Sequence, residues 1–273
     1  MTLLKNTDGA AKLPLAADVK VYADGVDENI LRLWATPVET PEEAEVAVLR
    51  IDAPWEPRGQ IGEMENFFRA GSLDFHADFL HRLKGISQTV PTVLDIYLDR
   101  PVMLGQVLDS VDTLIVNFGA NDEAFFKTVF GEYEPQGRLP IEIPRSMERV
   151  YANATDVPND TVDPVFEYGA GLRYESWTPT QAPRTLADLP KNANAGRWDL
   201  HKVKFSEILD TPEGKALVDE YLPGVTSGSL LSLLRPMTFA GLLKFLSGNV
   251  PDAQLRGLRT AVSAIAQSGH RRE

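Results

Sequence analysis

A chain of 273 residues with 43% hydrophobic side chains is long enough for one large or two modest cores, and no stretch reaches the roughly 18 apolar residues of a membrane span. Its 39 acidic against 27 basic residues, net charge −12, exclude a general nucleic-acid partner, because binding a polyphosphate needs clustered cations. The absence of cysteine removes disulfides and thiolate chemistry and is compatible with a cytoplasmic home.

The opening MTLLKNTDGAAKLPLA lacks a long apolar stretch before a small-residue cleavage site, so no signal peptide is expected. Short apolar runs rich in Val and Ile follow at Val19–Ala23, Val46–Ile51, Val90–Leu98, Leu114–Gly119 and Leu139–Ile143, each bounded by turn residues. Such runs suit strands buried on both faces. Leu73–Leu83 between them is helix-compatible, with Leu73, Phe79, Leu80 and Leu83 near one face. Alternating strand and helix predicts an α/β fold: a doubly wound, mostly parallel sheet of the α/β sandwich, flavodoxin-like kind. Ligands of such sheets bind beyond the carboxyl ends of strands, which directs attention to the segments after Ile51, Leu98 and Gly119.

After Ile51 the chain makes a long polar and aromatic excursion, DAPWEPRGQIGEMENFFRAGSLDF. Loops of this length in compact domains are often functional. Pro54 and Pro57 restrict the backbone on either side of Trp55 and Glu56. A sugar ring offers an apolar C–H face to an indole and hydroxyls to carboxylates, so Trp55 with Asp52, Glu56 and Arg58 is chemically sensible subsite material. The plainer alternative is that Trp55 caps the sheet edge while Glu56 pairs with Arg58 at the surface.

Elsewhere the chemistry is sparse. His76 and His81 are five apart, off the i, i+4 spacing that puts two ligands on one helical face, so no metal site is expected. Asp99 is placed to cap a helix starting after Pro101, and Asp95 flanks the same strand end, where a pocket role stays open. Gly119, Gly131 and Gly137 form neither GxGxxG nor a P-loop, so no nucleotide cofactor is implied. EYGAGLRYE reads as a closing strand or hairpin.

Beyond Trp177 the composition changes. Residues 1–180 hold 15 basic and 30 acidic residues, whereas 181–273 hold 12 and 9, which suggests two modules, 1–180 and 181–273. WTPTQAPRTLADLPKNAN reads as a linker. Thr211-Pro212 then gives an N-cap and a proline at the first helical position, the run reaches Tyr221, and Pro223-Gly224 stops it. Pro251 opens a segment with Leu255, Leu258, Val262 and Ile265 at helical spacing, and SLLSLLRPMTFAGLLKFLSG between them is apolar enough to be packed. A small C-terminal helical module is predicted. It serves to pack on its own domain, to form a homo-oligomer contact, or to bind a peptide or membrane surface.

Taken in order, LLKN, LPL, GSLDF, DIYLDRP, GRLPIEIP and YGAGLRY span nearly all of residues 2–177. That series resembles the C-terminal α/β domain of family 3 glycoside hydrolases, of the β-glucosidase and β-xylosidase type. The resemblance implies action on a β-linked glycoside, without cofactor or metal. In that family a glutamate in the loop after the strand matching Val46–Ile51 is the general acid/base; the pattern APWEPR selects Glu56, with Glu63 and Glu65 of GEMENFF as competitors. A retaining mechanism needs a second carboxylate as nucleophile, about 5–5.5 Å from the first. The family carries it on a (β/α)8 barrel that these 273 residues do not contain. The chain is therefore expected to supply the acid/base loop and one wall of a sugar pocket and not to hydrolyse alone. The alternative is a non-catalytic carbohydrate-binding or scaffold module. Residues 52–72, deprived of the barrel, are expected to be mobile or held by an oligomer contact.

Overall fold

The computed structural model describes residues 1–56, 69–185, 203–226, 231–246, 250 and 252–268. It divides into two compact units: Met1–Pro54 with Ser72–Leu189, and Trp55–Gly71 with Pro190–Glu273.

The first unit is built on a six-stranded sheet of β1 (Thr2–Asn6), β2 (Lys20–Asp24), β3 (Thr36–Val38), β4 (Val46–Asp52), β5 (Thr92–Tyr97) and β6 (Thr113–Asn117), in the spatial order β1-β6-β5-β4-β2-β3. All neighbours are parallel except β1, which runs antiparallel to β6. One face buries Ala47, Leu49, Leu94, Ile96, Leu114 and Val116 against Leu83 and Ile86 of α2 (Ala77–Thr89). The other face buries Val46, Val48, Val93 and Ile115 against Leu31 of α1 (Glu28–Leu31) and Phe125 and Phe126 of α3 (Asp122–Val129). Helices on both faces make this the doubly wound α/β sandwich that the apolar runs imply, and they explain why Val46–Leu49 of β4 and Val93–Leu94 of β5 are apolar on both faces.

Several elements differ from expectation. Leu139–Ile143 is no strand of the sheet: Pro140 supplies no N–H to a ladder. The segment pairs only locally, Leu139 N–H donating to Ala170 O at 2.9 Å and Ile143 N–H to Phe166 O at 2.9 Å. EYGAGLRYE likewise forms only a single bridge, Leu172 to Leu3, with Phe166 just before it bridged to Ile143. The helix expected from Leu73 begins at Ala77, because Phe75 N–H is taken by the Gln106 side chain at 2.9 Å and Asp74 is tied to Ser72. Asp99 caps no helix; two 3₁₀ turns, Leu104–Gln106 and Leu108–Ser110, follow Pro101, the first with Met103 at its N-cap.

A short helix α4 (Met147–Ala152) also belongs to the first unit, and the second contains α5 (Phe205–Leu209), α6 (Pro212–Tyr221), α7 (Leu231–Leu234), α8 (Phe239–Leu246) and α9 (Asp252–Ser268). Thr211 caps α6 as its sequence suggests, its Oγ1 accepting from Gly214 N–H at 3.1 Å. Phe205, Ile208, Val218, Leu234, Phe239, Leu242, Leu258 and Val262 enclose one core. Among the described residues, no helix is long and apolar enough to cross a membrane.

Candidate functional site

The sheet's topological switch point lies between β2 and β4, where the strand order reverses, and crevices at such points hold ligands in open α/β folds. Here the gap is closed. Gly25, just past β2 with φ +74°, approaches β4 so tightly that a Cβ on it would lie 2.0 Å from the carbonyl oxygen of Arg50. Asp24 is ion-paired with Arg82 of α2.

Beyond β4 the chain turns inward. Asp52, half-buried, is the last residue of β4 and sits opposite Tyr97 in register. Ala53 N–H donates to Tyr97 O at 2.9 Å, and Ala53 is buried, as is Trp55 at 5% exposure. Glu56 is the first residue of the excursion to emerge into solvent. It is held there by an antiparallel bridge: its N–H donates to Ala70 O at 2.9 Å. The next residue on the returning strand, Gly71, has φ +85°, and a Cβ on it would lie 2.3 Å from Glu56 Oε2. Only glycine leaves room for the glutamate side chain at that point. The Arg69 guanidinium lies 5.9 Å from the Trp55 ring centroid, within cation–π range.

The structure thus brings Trp55 and Glu56 together with Arg69, Ala70 and Gly71, which the sequence reading did not assign. The signal was present in RAGS, a glycine at the end of a long loop. Arg58, Glu63 and Glu65 lie outside the described residues, as does most of the segment expected to be mobile.

A second polar constellation spans β4, β5 and β6 on the sheet face covered by α3. Arg50 donates through Nε to Asp95 Oδ2 at 2.7 Å, through one terminal nitrogen to Asp122, and through the other to Ala120 O at 2.8 Å. Asn117 Nδ2 donates to the same Asp95 oxygen at 2.9 Å, while its own Oδ1 accepts from Gly119 and Ala120 N–H at 3.0 Å each. The guanidinium also lies 4.6 Å from the centroid of Phe125. Asp95 is fully enclosed, and its Oδ1 has no hydrogen-bond partner in the structure. Burial pushes its carboxyl above the usual range, opposed by Arg50 and Asn117. Asp95 is therefore a mid-strand anchor that shapes the loop after Asn117, not a residue flanking a strand end.

His76 occupies the N-cap position of α2 and His81 lies within that helix. Among the described residues, no group of three His, Cys, Asp or Glu side chains is placed to hold a metal ion.

Comparison with known proteins bears on most of the first unit and on the excursion after β4. The family model for the glycosyl hydrolase family 3 C-terminal domain matches residues 21–174. Beta-glucosidase C of Emericella nidulans is 43% identical over 178 residues, covering 64% of this chain and 28% of that protein. The periplasmic beta-glucosidase/beta-xylosidase of Dickeya chrysanthemi is 31% identical over 180 residues, covering 63% and 26%. The beta-glucosidase D2-BGL of Chaetomella raphigera superposes with a TM-score of 0.50 at 17% identity, over 63% of this chain and 34% of that one, a likeness of fold. The chain spans little more than a quarter of the length of these two sequence relatives. With the match extending over more than half of its residues, the chain belongs to the glycosyl hydrolase family 3 C-terminal domain family.

Proposed function

We propose that this chain acts as the C-terminal part of a β-glucosidase-type hydrolase, presenting Glu56 as the general acid/base of a retaining mechanism. The observation that carries the proposal is the placement of Glu56: exposed at the root of the loop after β4, pinned by the Ala70 bridge and seated on Gly71. A pinned backbone holds a carboxyl in reach of a glycosidic oxygen without ordering cost at each turnover. Trp55, buried beside it with Arg69 at its ring, stiffens the root of the loop. In this reading Glu56 protonates the leaving oxygen, then accepts a proton from the water that opens the glycosyl intermediate. The nucleophilic carboxylate comes from a separate (β/α)8 barrel, and the sugar pocket is completed there.

The purified chain is expected to leave aryl β-glucosides intact. Adding a separately produced family 3 barrel is expected to generate turnover that Glu56→Gln lowers at least 100-fold, in line with the usual contribution of a positioned acid/base. Glu63→Gln and Glu65→Gln are expected to retain it. Hydrolysis by the chain alone, or loss of activity in either control instead, overturns the assignment.

A further inference from the structure

At the flank of the first unit formed by edge strand β1, separated from β4 by two strands, a recess of about 370 Å³ is lined by Tyr133, Glu134, Gln136, Trp177 and Thr128 among others. We infer that it binds one ring of a neutral saccharide. This does not rest on the role proposed for Glu56.

The walls are rigid. Trp177 Nε1–H donates to Gly131 O at 2.8 Å, and Thr180 N–H donates to the same oxygen at 3.0 Å. Tyr133 N–H donates to Lys127 O at 3.0 Å, and Gly137 N–H to Met1 O at 3.0 Å. Beneath them the buried Tyr174 hydroxyl donates to Thr128 O. Gly131, with φ +82°, allows the turn to lie against Pro14, where a Cβ would come within 2.8 Å. The Trp177 indole is thereby held by its own hydrogen bond while still 37% exposed, and Tyr133, its backbone tied, leaves its ring 52% exposed. Two exposed aromatic surfaces, one of them held by a hydrogen bond to the backbone, suit a ligand that stacks.

The lining chemistry selects the ligand class. Two cations beside the recess are already engaged: Lys127 faces Glu123 at 3.1 Å and Glu132 at 3.4 Å, and Arg173 holds Glu134 Oε2 at 2.6 Å. An anion would therefore find these side-chain cations paired and the Glu134 carboxylate in the lining. A neutral ring suits the site better. Its C–H face stacks on Trp177 or Tyr133, and its hydroxyls donate to Glu134, which keeps acceptor capacity beyond its bond to Arg173, and exchange hydrogen bonds with the Gln136 amide. The volume falls within the range of about 300–1,000 Å³ typical of small-molecule sites.

Saturation-transfer NMR with glucose and cellobiose on the purified chain tests this, with dissociation constants read from titration. Millimolar binding is expected, weakened at least tenfold by Tyr133→Ala and by Gln136→Ala. Tyr133 and Gln136 are surface substitutions, and circular dichroism confirms that both variants stay folded. The inference is overturned if neither sugar binds at 50 mM, a ceiling of roughly −2 kcal/mol, or if binding survives both recess variants. Because loss of the recess leaves the barrel-complemented hydrolysis assay untouched, failure here is distinct from failure of the role proposed for Glu56.

Discussion

In the sheet unit a central strand is buried from both sides: Val93 and Leu94, consecutive on β5, are both fully enclosed, one under α3 and the other under α2. In the helical unit α9 buries a single stripe, Leu255, Leu258 and Val262, and its core residues come from segments close in sequence. The sheet unit also encloses charge, in the Arg50–Asp95 pair, whereas the side chains fully enclosed in the helical core are apolar apart from the capping Thr211. A sheet covered on both faces has no dry place for a charge except against another charge. A helix can turn its polar residues outward, so its stability rests on packing and caps.

The largest effect that tests this contrast is Arg50→Met. It leaves Asp95 buried beside Asn117 without its counter-charge, an arrangement that costs about 3–5 kcal/mol. Urea unfolding reads it; a loss below about 1 kcal/mol would mean that the pair does not anchor the sheet. Phe205→Ala in the helical unit should cost a similar or slightly smaller amount, about 3 kcal/mol, through a cavity in an apolar core. Thermal unfolding followed by helical circular dichroism reports it, and an unchanged melting curve would deny this unit a core of its own. Thr211→Ala should cost only about 1 kcal/mol, the usual worth of an N-cap, with Thr211→Ser restoring most of it. Equal losses from the serine and alanine variants would assign the effect to packing.

The smallest expected effect is a slope. The Asp95 carboxyl lies above its unfolded value, so the folded chain binds its proton more tightly than the unfolded chain does. That contribution is complete below the unfolded aspartate value of about 3.9 and fades as pH rises through the folded value. The stability difference between wild type and Asp95→Asn should therefore shift in favour of wild type as pH falls from 7 towards 4. A difference independent of pH would show that Arg50 fully offsets the burial.

Strands β4, β5 and β6 are legible in the chain because burial on both faces writes them as largely apolar runs, and β2 is legible from Val19–Ala23 although only Val21 of it is buried. β1 is not, since it is an edge strand carrying Lys5, whose Nζ donates to Leu108 O and Val111 O at 2.7 Å each. β3 is three residues long with Pro37 at its centre. The opposite error arises at Leu139–Ile143, where buried ends frame two exposed or half-buried residues and a proline removes a donor. In the helical unit the cap and stop at Thr211 and Pro223 are local, and local chemistry is what a linear reading sees.

The same division runs through the candidate site. Loop position, the proline-flanked Trp55 and Glu56, and the succession of family motifs are all carried by the order of residues along the chain. That Glu56 is paired with Ala70 and rests on Gly71, that Arg50 bridges residues 45 and 72 positions away, and that Tyr133 and Trp177 line one recess are decided only by folding. Periodicity and capping act over a few neighbouring residues, so sequence alone determines the elements and the family; contacts between distant segments depend on strand order and register, which only the assembled sheet sets.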